Sequence, residues 1–413
     1  MRRFIASLDV GSALIKLVVG EVVKNKINIL ACVDTPARGI KKGYVINEES
    51  AIEAFSEVFK KCENILGIPV KKVIAVVPSS YAECFFSSET IAINSEDKII
   101  KNSDITRAMK SCVKNKVPDN REIVTVLPTG FKVNDESVNN PLNMISEKLA
   151  IKSIVVTIPK KNIVGINACL KKIGVDLVDI VISPLGDYHE NKTKETNKNI
   201  GAVVNIGEET TTVSIFNHGI LTNLEVIDIG GDSISNDLAY VYKISKKDAK
   251  FLKERLALAH TRLAQPNESM TFTDKHNEMV KINQYDASEI VMGRLVEIMN
   301  LAKKQINLLT KKEISYIIIT GGVAETQDLE ILIEEQLGNM GIISSPSEIG
   351  ARNNKYATAI GAIKYYNSRL KLRNIDFSIF DIEEQEELGG TSKRMNIPDN
   401  SILGKLFGYF FDN

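Results

Sequence analysis

Two stretches of similar pattern, about 195 residues apart, constrain the fold of this chain more than any other feature. In each stretch an apolar, β-rich run ends in a small turn that carries one glycine and hydroxyl residues, and a second apolar run follows. The stretches are residues 4–19 and residues 203–216. Glycine lets a ligand approach the main chain closely, and successive turn N–H groups beside a hydroxyl form a concavity that binds anions. The repetition therefore predicts duplicated halves that hold one ligand between them.

Length and charge narrow the class of protein. A chain of 413 residues exceeds a single hydrophobic core, so we expect two or more domains. Lysine plus arginine equals aspartate plus glutamate, at 52 each, which gives no electrostatic reason to expect nucleic acid as a partner. The five cysteines form no CxxC pair and the four histidines show no metal-binding spacing, so we predict reduced thiols, a cytoplasmic chain and no metal site. No apolar signal segment follows Met1, and no apolar run approaches the roughly 18 residues that would span a membrane.

Turn and cap residues divide the first half of the chain. Asn47 predicts the start of a helix and Gly67 predicts its end. The basic, glycine-bounded segment 38–43 that precedes this helix is either an ordinary loop or a functional one. Residues 79–159 change in character and predict a β-α-β-β unit of the size of a small inserted domain. Residues 187–200 are polar and are predicted to form a linker between the halves.

The composition shifts again near the end of the chain. Residues 374–399 combine an acidic stretch with glycine and hydroxyl residues, and they are predicted to form a disordered linker. Residues 400–413 predict an amphipathic helix, because apolar residues recur at i, i+3 and i+4. Such a helix either docks on the core or lies in a membrane interface, and the preceding linker favours the interface. The residues predicted to bind the membrane are Ile402, Leu403, Lys405, Leu406, Phe407, Phe410 and Phe411.

Four motifs resemble those of actin-like ATPases, in which two ribonuclease-H-like halves close on ATP and Mg²⁺. The run Asp-x-Gly-Ser, with a lysine seven residues after the aspartate, resembles the first phosphate loop of these proteins. The run Asn-x-Gly, followed by threonines, lies where their second phosphate loop falls, and two later glycine pairs match theirs. The resemblance implies an α/β, actin-like fold with ATP and Mg²⁺ as ligands. The residues that it implies for nucleotide binding are Asp9, Gly11, Ser12, Lys16, Asn205, Gly207, Thr210, Thr211, Gly230, Gly231, Lys253, Gly321 and Gly322.

Within this superfamily the chain resembles the FtsA family of bacterial cell-division proteins, over residues 4–370 and the tail. The stretches that carry the resemblance are residues 7–11, 38–43, 123–128, 249–253 and 356–361, together with the inserted unit. The implied organisation is subdomain 1A at 1–78, 160–200 and 356–373, inserted subdomain 1C at 79–159, subdomain 2A at 201–229 and 312–355, subdomain 2B at 230–311, a disordered linker at 374–399 and a membrane-targeting amphipathic helix at 400–413.

The resemblance also implies a function. Proteins of this kind lie peripherally on the inner face of the cytoplasmic membrane at the division site, tether filaments of the tubulin-like protein FtsZ and polymerise with themselves. The implied partners are the C-terminal peptide of FtsZ, further copies of the chain and membrane lipid. Helix 286–308 belongs to the subdomain that receives this peptide. On this helix, Arg294, Lys303 and Lys304 either meet acidic residues of the peptide or form a solvated basic face.

The second phosphate loop departs from the family pattern. The family has an acid where this chain has Asn205, glycines where it has Glu208 and Glu209, another acid at Thr212, and a helix glutamate where it has Lys250. Asparagine lacks the charge that holds a hydrated Mg²⁺, and two carboxylates in the loop would repel phosphate. We therefore expect weak ATP binding with slow or no hydrolysis. We also expect tighter binding when Asn205→Asp is combined with glycine at both glutamate positions.

Two other functions are compatible with the same motifs. An adaptor of another membrane machine, such as the pilus-assembly protein PilM, also carries an inserted domain, but the apolar tail favours the FtsA family. A sugar kinase or a chaperone ATPase of this superfamily requires intact phosphate loops. The altered second loop argues against that enzymatic function.

Overall fold

Strands and helices alternate along most of the chain in the computed structural model, which describes residues 2–24, 26–373 and 375–392. The strands are β1 (Arg2–Val10), β2 (Leu14–Val23), β3 (Lys26–Pro36), β4 (Ile40–Lys41), β5 (Tyr44–Val45), β6 (Lys72–Val77), β7 (Glu83–Ala92), β8 (Arg121–Val133), β9 (Glu136–Val138), β10 (Lys148–Pro159), β11 (Asp176–Ile182), β12 (Ile200–Ile206), β13 (Thr211–Asn217), β14 (Ile220–Ile227), β15 (Ser269–Thr273), β16 (Met279–Asn283), β17 (Tyr316–Thr320) and β18 (Gly341–Ile343). The helices are α1 (Glu48–Leu66), α2 (Asn102–Ser111), α3 (Lys161–Lys172), α4 (Ser183–Asn191), α5 (Gly231–Tyr242), α6 (Lys246–Arg255), α7 (Gln284–Leu309), α8 (Leu329–Leu337), α9 (Ala357–Leu372) and α10 (Ile382–Ser392).

The first predicted hairpin forms the centre of a five-stranded sheet in the order β11-β6-β1-β2-β3. β1 and β2 are antiparallel neighbours, with Asp9 opposite Lys16, and β6 runs parallel to β1 on its other side. Both faces of β1 are buried, which explains its continuous apolar run. Helix α1 begins as predicted after Asn47, whose side chain accepts a hydrogen bond from the N–H of Ser50, and it ends at Gly67 with a φ of 80°.

The second half repeats this topology. Its five-stranded sheet has the order β14-β13-β12-β17-β18. As in the first sheet, three consecutive antiparallel strands form a meander whose first strand has a parallel neighbour on its other side. Asn205 of β12 lies opposite Thr212 of β13, which is the register position that Asp9 and Lys16 occupy in the first hairpin. The predicted duplication and the actin-like α/β fold are therefore confirmed.

The unit that is inserted into the first half has a hydrophobic core of its own. Its four-stranded sheet has the order β7-β10-β8-β9, and helix α2 packs on it. Buried side chains of the helix and the sheet, among them Ile105 and Leu149, form a cluster separate from the cores of the two halves. The predicted small α+β insertion is therefore confirmed, whereas the finer subdomain boundaries stay a prediction.

The predicted linker at 187–200 is wrong in its first part, because these residues include the end of helix α4. Pro184 lies in the first turn of this helix, where its missing N–H would have had no helical partner. Tyr188 is fully buried and stacks on an aromatic ring of β13, with centroids 4.2 Å apart. Helix α4 crosses α9 so closely that a Cβ on Gly361 would lie 1.8 Å from the carbonyl oxygen of Gly186. The polar composition of the stretch concealed these buried contacts.

The predicted disordered linker at 374–399 is wrong over the residues that the structure describes, 375–392. Ile379 and Phe380 are buried. The N–H of Ile379 donates to the carbonyl of Phe4 over 3.0 Å, and the ring of Phe380 contacts the Phe4 ring edge-on. A few apolar residues within an acidic stretch dock it on the first half, which composition alone does not reveal.

Helix α10 follows this docked segment, and its Glu384 pairs with Lys71 of the first half over 3.1 Å. The predicted membrane helix at 400–413 lies outside the described residues, as do residues 393–399. Among the helices that the structure describes, none is long and apolar enough to cross a membrane.

Candidate functional site

The turns of the duplicated hairpins line one cleft of about 860 Å³ between the two halves. Most residues that the resemblance implied for nucleotide binding meet here, although they come from distant parts of the sequence. Those that line the cleft are Asp9, Gly11, Ser12, Lys16, Asn205, Gly207, Thr210, Lys253, Gly321 and Gly322.

Three of the implied residues support the second loop from behind. Thr211 is fully buried, and its hydroxyl donates to the carbonyl of Ile229 over 2.8 Å. The N–H of Gly231 donates to the carbonyl of Gly207 over 2.9 Å. A Cβ on Gly230 would lie 2.6 Å from that same carbonyl oxygen. The glycine pair therefore allows the start of helix α5 to pack directly on the loop.

The first loop is a self-contained charged turn. The N–H of Gly11 donates to the carbonyl of Leu14 over 3.1 Å, and a Cβ on this glycine would lie 2.9 Å from the same oxygen. The Lys16 ammonium donates to the Asp9 carboxylate over 2.6 Å, and the two side chains are only 15% and 10% exposed. Strand pairing places these residues opposite each other, so the hairpin alone produces the ion pair.

Helix α6 supplies the positive charges beside the second loop. Glu208 pairs with Lys250 over 2.7 Å and lies 3.9 Å from the Lys253 ammonium, which also donates to the carbonyl of Gly231 over 2.9 Å. Burial acts to lower the pKa of Lys250, but the hydrogen bond and the charge of Glu208 outweigh it and raise the pKa. Burial lowers the pKa of Lys253. The loop glutamate that was expected to repel phosphate is thus neutralised, and the three side chains together carry a charge of about +1 when all are ionised.

Glu209, the other glutamate of the second loop, contacts the first half across the cleft. The Glu209 carboxylate accepts a hydrogen bond from the N–H of Lys42 over 2.6 Å. The Lys42 ammonium pairs with Asp228 of the second half over 2.8 Å. The basic segment 38–43, which the sequence left open between an ordinary and a functional loop, therefore connects the two halves at the cleft. Neither contact was predicted, because both join residues that are far apart in sequence.

A buried carboxylate lies beneath Asn205. The amide nitrogen of Asn205 donates to Oδ2 of Asp187 over 2.8 Å, and the Thr358 hydroxyl donates to Oδ1 over 2.6 Å. Asp187 is 1% exposed, and burial raises its pKa to about 7. Sequence reasoning missed this residue because it assigned 187–200 to a linker. The Pro184 that precedes it by three residues was the available signal for a helix start.

The loop after β17 completes the wall of the cleft. Gly321 has a φ of 93°, and a Cβ there would lie 2.5 Å from Oδ1 of Asn205 and from the carbonyl of Ile206. Only glycine fits this position without displacing the second loop. Among the described residues, no group of three or more His, Cys, Asp or Glu side chains could hold a metal ion.

The three basic residues implied for partner binding do not form one surface. Arg294 of α7 donates to Asp237 over 2.6 and 2.8 Å, so it faces helix α5. Lys303 donates to the Gln336 side chain over 3.0 Å, so it faces helix α8 on the opposite side. Lys304 is exposed. The predicted membrane-binding residues lie outside the described part of the chain.

Comparison with solved structures supports the fold. The PilM–PilN type IV pilus biogenesis complex matches with a TM-score of 0.59 at 14% identity, over 87% of this chain and 98% of that chain. MreB5 of Spiroplasma citri bound to ADP matches with a TM-score of 0.55 at 13% identity, over 89% of this chain and 98% of that one. At these identities the likeness shows the actin-like fold alone.

Comparison with families and curated relatives identifies the chain more narrowly. The family model described as cell division protein FtsA matches residues 202–361, and the model of the SHS2 domain inserted in FtsA matches residues 79–157. FtsA of Bacillus subtilis (strain 168) is 28% identical over 92% of this chain and 88% of its own length. FtsA of Enterococcus hirae is 26% identical over 87% and 82%, respectively. With both FtsA domains matched and relatives aligned along nearly the whole chain, this chain belongs to the FtsA family of bacterial cell-division proteins.

Proposed function

We propose that this chain tethers FtsZ filaments to the inner face of the cytoplasmic membrane at the division site and polymerises with itself. One observation carries the proposal: an SHS2 unit at 79–157 interrupts an actin-like fold in a chain aligned with FtsA along its length. The likeness to the PilM–PilN complex concerns the fold alone at 14% identity, so it does not favour a pilus adaptor.

The proposed membrane contact is the apolar face of residues 400–413. Fully burying one such side chain contributes roughly 1.5–3 kcal/mol, but immersion at an interface is partial. Ordering the helix costs about 1–2 kcal/mol per residue in backbone entropy, so one copy binds marginally. Several copies linked in a filament raise the overall affinity by about 10²–10⁴, because later contacts become intramolecular.

Liposome co-sedimentation tests this function. We expect the parent protein to pellet with liposomes, whereas deletion of 401–413 or the double change Phe407→Asp and Phe410→Asp releases it. A polymerisation-defective variant with an intact tail should pellet far less than the parent. Asp412→Asn, off the apolar face, is the matched control and should pellet like the parent.

Thermal melts of the same proteins check that the folded body is intact. Equal pelleting of the tail-deleted and parent proteins would reject the anchor. Equal pelleting of the polymerisation-defective and parent proteins would reject the contribution of multiple copies.

ATP with Mg²⁺ is the ligand that we propose for the cleft. Lys16 and Lys253, with glycines that allow close approach of the main chain, fit a polyphosphate. A nucleotide-bound Mg²⁺ keeps several waters and is held by one or two carboxylates in addition to the phosphates, and the Asp9 side chain fits that need. When bound, the magnesium ion would neutralise phosphate charge. Because Glu208 already pairs with Lys250 and approaches Lys253, it competes with phosphate, which supports weak binding and slow or no turnover.

For the FtsZ peptide we propose the exposed part of helix α7 around Lys304. Fluorescence anisotropy with a labelled C-terminal peptide of FtsZ tests this site. We expect the joint charge reversal of Lys303 and Lys304 to weaken binding, and Lys312→Glu beyond the end of the helix to serve as the control. Unchanged affinity after the double reversal would mean that the peptide binds elsewhere.

A further inference from the structure

Asp187 is a buried acid whose carboxyl oxygens are hydrogen-bonded to two neutral side chains. It lies on helix α4 and is 1% exposed. Its two oxygens accept hydrogen bonds from the Asn205 amide and the Thr358 hydroxyl. Among the described residues, no ion pair includes this carboxylate, and the charges that act on it come from the Asp9–Lys16 pair of the first loop. Burial of a carboxyl group beside neutral partners is unfavourable, and a role at the cleft above it would explain its position.

The hydrogen bond from Asn205 decides which end of its amide meets the cleft. Above its pKa of about 7, Asp187 is ionised and only accepts hydrogen bonds, so the amide turns its NH₂ group toward this carboxylate, as the structure shows. The amide oxygen then points away, beside Gly321, where a Cβ would lie 2.5 Å from it. Asn205 lines the cleft, so the group presented there is an acceptor. The same nitrogen also donates to the Thr358 hydroxyl oxygen over 3.4 Å, and Asp187 holds that hydroxyl in turn, so loss of the carboxylate loosens both partners of the amide.

We propose that Asp187 is a positioning residue that holds the Asn205 oxygen toward the cleft, where it accepts hydrogen bonds from the water shell of a magnesium nucleotide. The negative charge of Asp187 lies on helix α4 beneath the second loop, and it acts on the cleft through the Asn205 amide. This inference rests on the nucleotide binding proposed above. It also changes one expectation from the sequence: Asn205→Asp alone places two carboxylates in direct contact at the observed 2.8 Å.

A charge swap tests the proposal. The variants are Asn205→Asp, Asp187→Asn and the two combined, with Asp104→Asn as a control that removes a buried carboxylate from the inserted unit. Without nucleotide and at pH 8, where Asp187 is ionised, we expect Asn205→Asp to lower the melting temperature by several degrees, because two carboxylates in contact repel. The combined variant should recover most of that loss, since the amide and the carboxylate only exchange places.

Calorimetry with ATP supplies a measurement that a merely structural role would not change. We expect Mg²⁺ to improve ATP affinity in the parent and in the combined variant relative to ATP with EDTA. In Asp187→Asn this improvement should fall about tenfold, while ATP affinity in EDTA stays near that of the parent. The control should behave as the parent does.

The outcomes separate this inference from the function on which it rests. A parent that binds no ATP would reject the function proposed for the cleft. The melting experiments contain no nucleotide, so they still decide whether Asp187 and Asn205 are coupled. Parental stability of Asn205→Asp, or an undiminished magnesium effect in Asp187→Asn, would overturn the assignment of Asp187.

Discussion

The two hairpin turns of the cleft share a backbone but obtain their charge in different ways. In both, the N–H of the turn glycine donates to a carbonyl three residues later, at Gly11 and at Gly207. In the first turn, the opposed strand residues Asp9 and Lys16 form an ion pair within the hairpin. In the second turn, the corresponding residues are the neutral Asn205 and Thr212.

Apart from its own glutamates, the second turn obtains its charged neighbours from helices outside the hairpin. Helix α4 supplies Asp187 beneath the strand, and helix α6 supplies Lys250 and Lys253 around Glu208. A local pair persists wherever the hairpin forms, whereas a charge set built from the turn and two separate helices exists only in the assembled fold. The first turn should therefore govern stability and the second should govern ligand affinity.

The largest expected effect is at the first turn. Lys16→Met leaves the mostly buried Asp9 carboxylate without its cation, and we expect the free energy of unfolding to fall by about 3–5 kcal/mol. Chemical denaturation measures this. Thr212→Val, at the corresponding position of the second turn, should cost below about 1 kcal/mol because it leaves no charge unpaired. Equal losses of stability at both positions would contradict the distinction between the turns. Lys60→Met, which removes the cation of an exposed ion pair, is the control.

The next effect concerns the pH dependence of the second turn. Burial raises the pKa of Asp187 to about 7. The folded state therefore holds a proton that the unfolded state releases above about pH 4. Stability contributed by this group is present below that pH and is lost as pH rises toward about 7. The total loss is up to about 4 kcal/mol.

Melting curves of the parent and of Asp187→Asn, recorded between pH 4 and pH 8, measure this loss. The difference between the two melting temperatures should shift in favour of the variant as pH rises. A difference that is the same at every pH would show that the carboxyl is not perturbed.

A smaller effect is expected from the Glu208 carboxylate of the second turn. Glu208→Gln frees Lys250 and Lys253 for phosphate, so we expect ATP affinity to rise about tenfold, or about 1.4 kcal/mol. Glu254→Gln is a matched control, because Glu254 lies farther from Lys250, at 3.9 Å against 2.7 Å for Glu208, and is 55% exposed. Isothermal calorimetry measures both. If Glu208→Gln weakens ATP binding, the glutamate contributes to the ligand site and does not compete with the ligand.

The smallest effect is expected where the second turn touches the first half. Glu209→Ala removes the acceptor for the Lys42 N–H at a partly exposed position, so we expect a loss of stability below about 1 kcal/mol. Hydrogen exchange of the Lys42 amide is the more sensitive measurement and should become faster. Unchanged exchange would mean that the contact across the cleft does not persist in solution.

Local pattern predicted much of the fold. The cap residues Asn47 and Gly67 bound the first helix as expected, and the glycine turns 11 and 207 lie in one cleft. The failures fall where a few buried contacts override composition. Tyr188 is buried inside a stretch predicted as a linker, and Phe380 docks a stretch predicted as disordered. Both stretches are polar on average, and average polarity does not show which single side chain finds a partner.

The sequence by itself predicted the duplicated hairpins and the inserted unit, because each depends on residue pattern and turn chemistry along a continuous stretch. The actin-like fold followed from the resemblance of its loop motifs to those of a known superfamily. The Asp9–Lys16 ion pair was not predicted, although it depends only on the register of one local hairpin. Only the tertiary structure decided the chemistry of the second turn. Asp187, Lys250 and Lys42 lie on three separate elements, and the charge that each brings to residues 205–209 depends on how those elements pack. An ion pair or a buried acid acts over a few ångströms in space, which separation along the chain does not reveal.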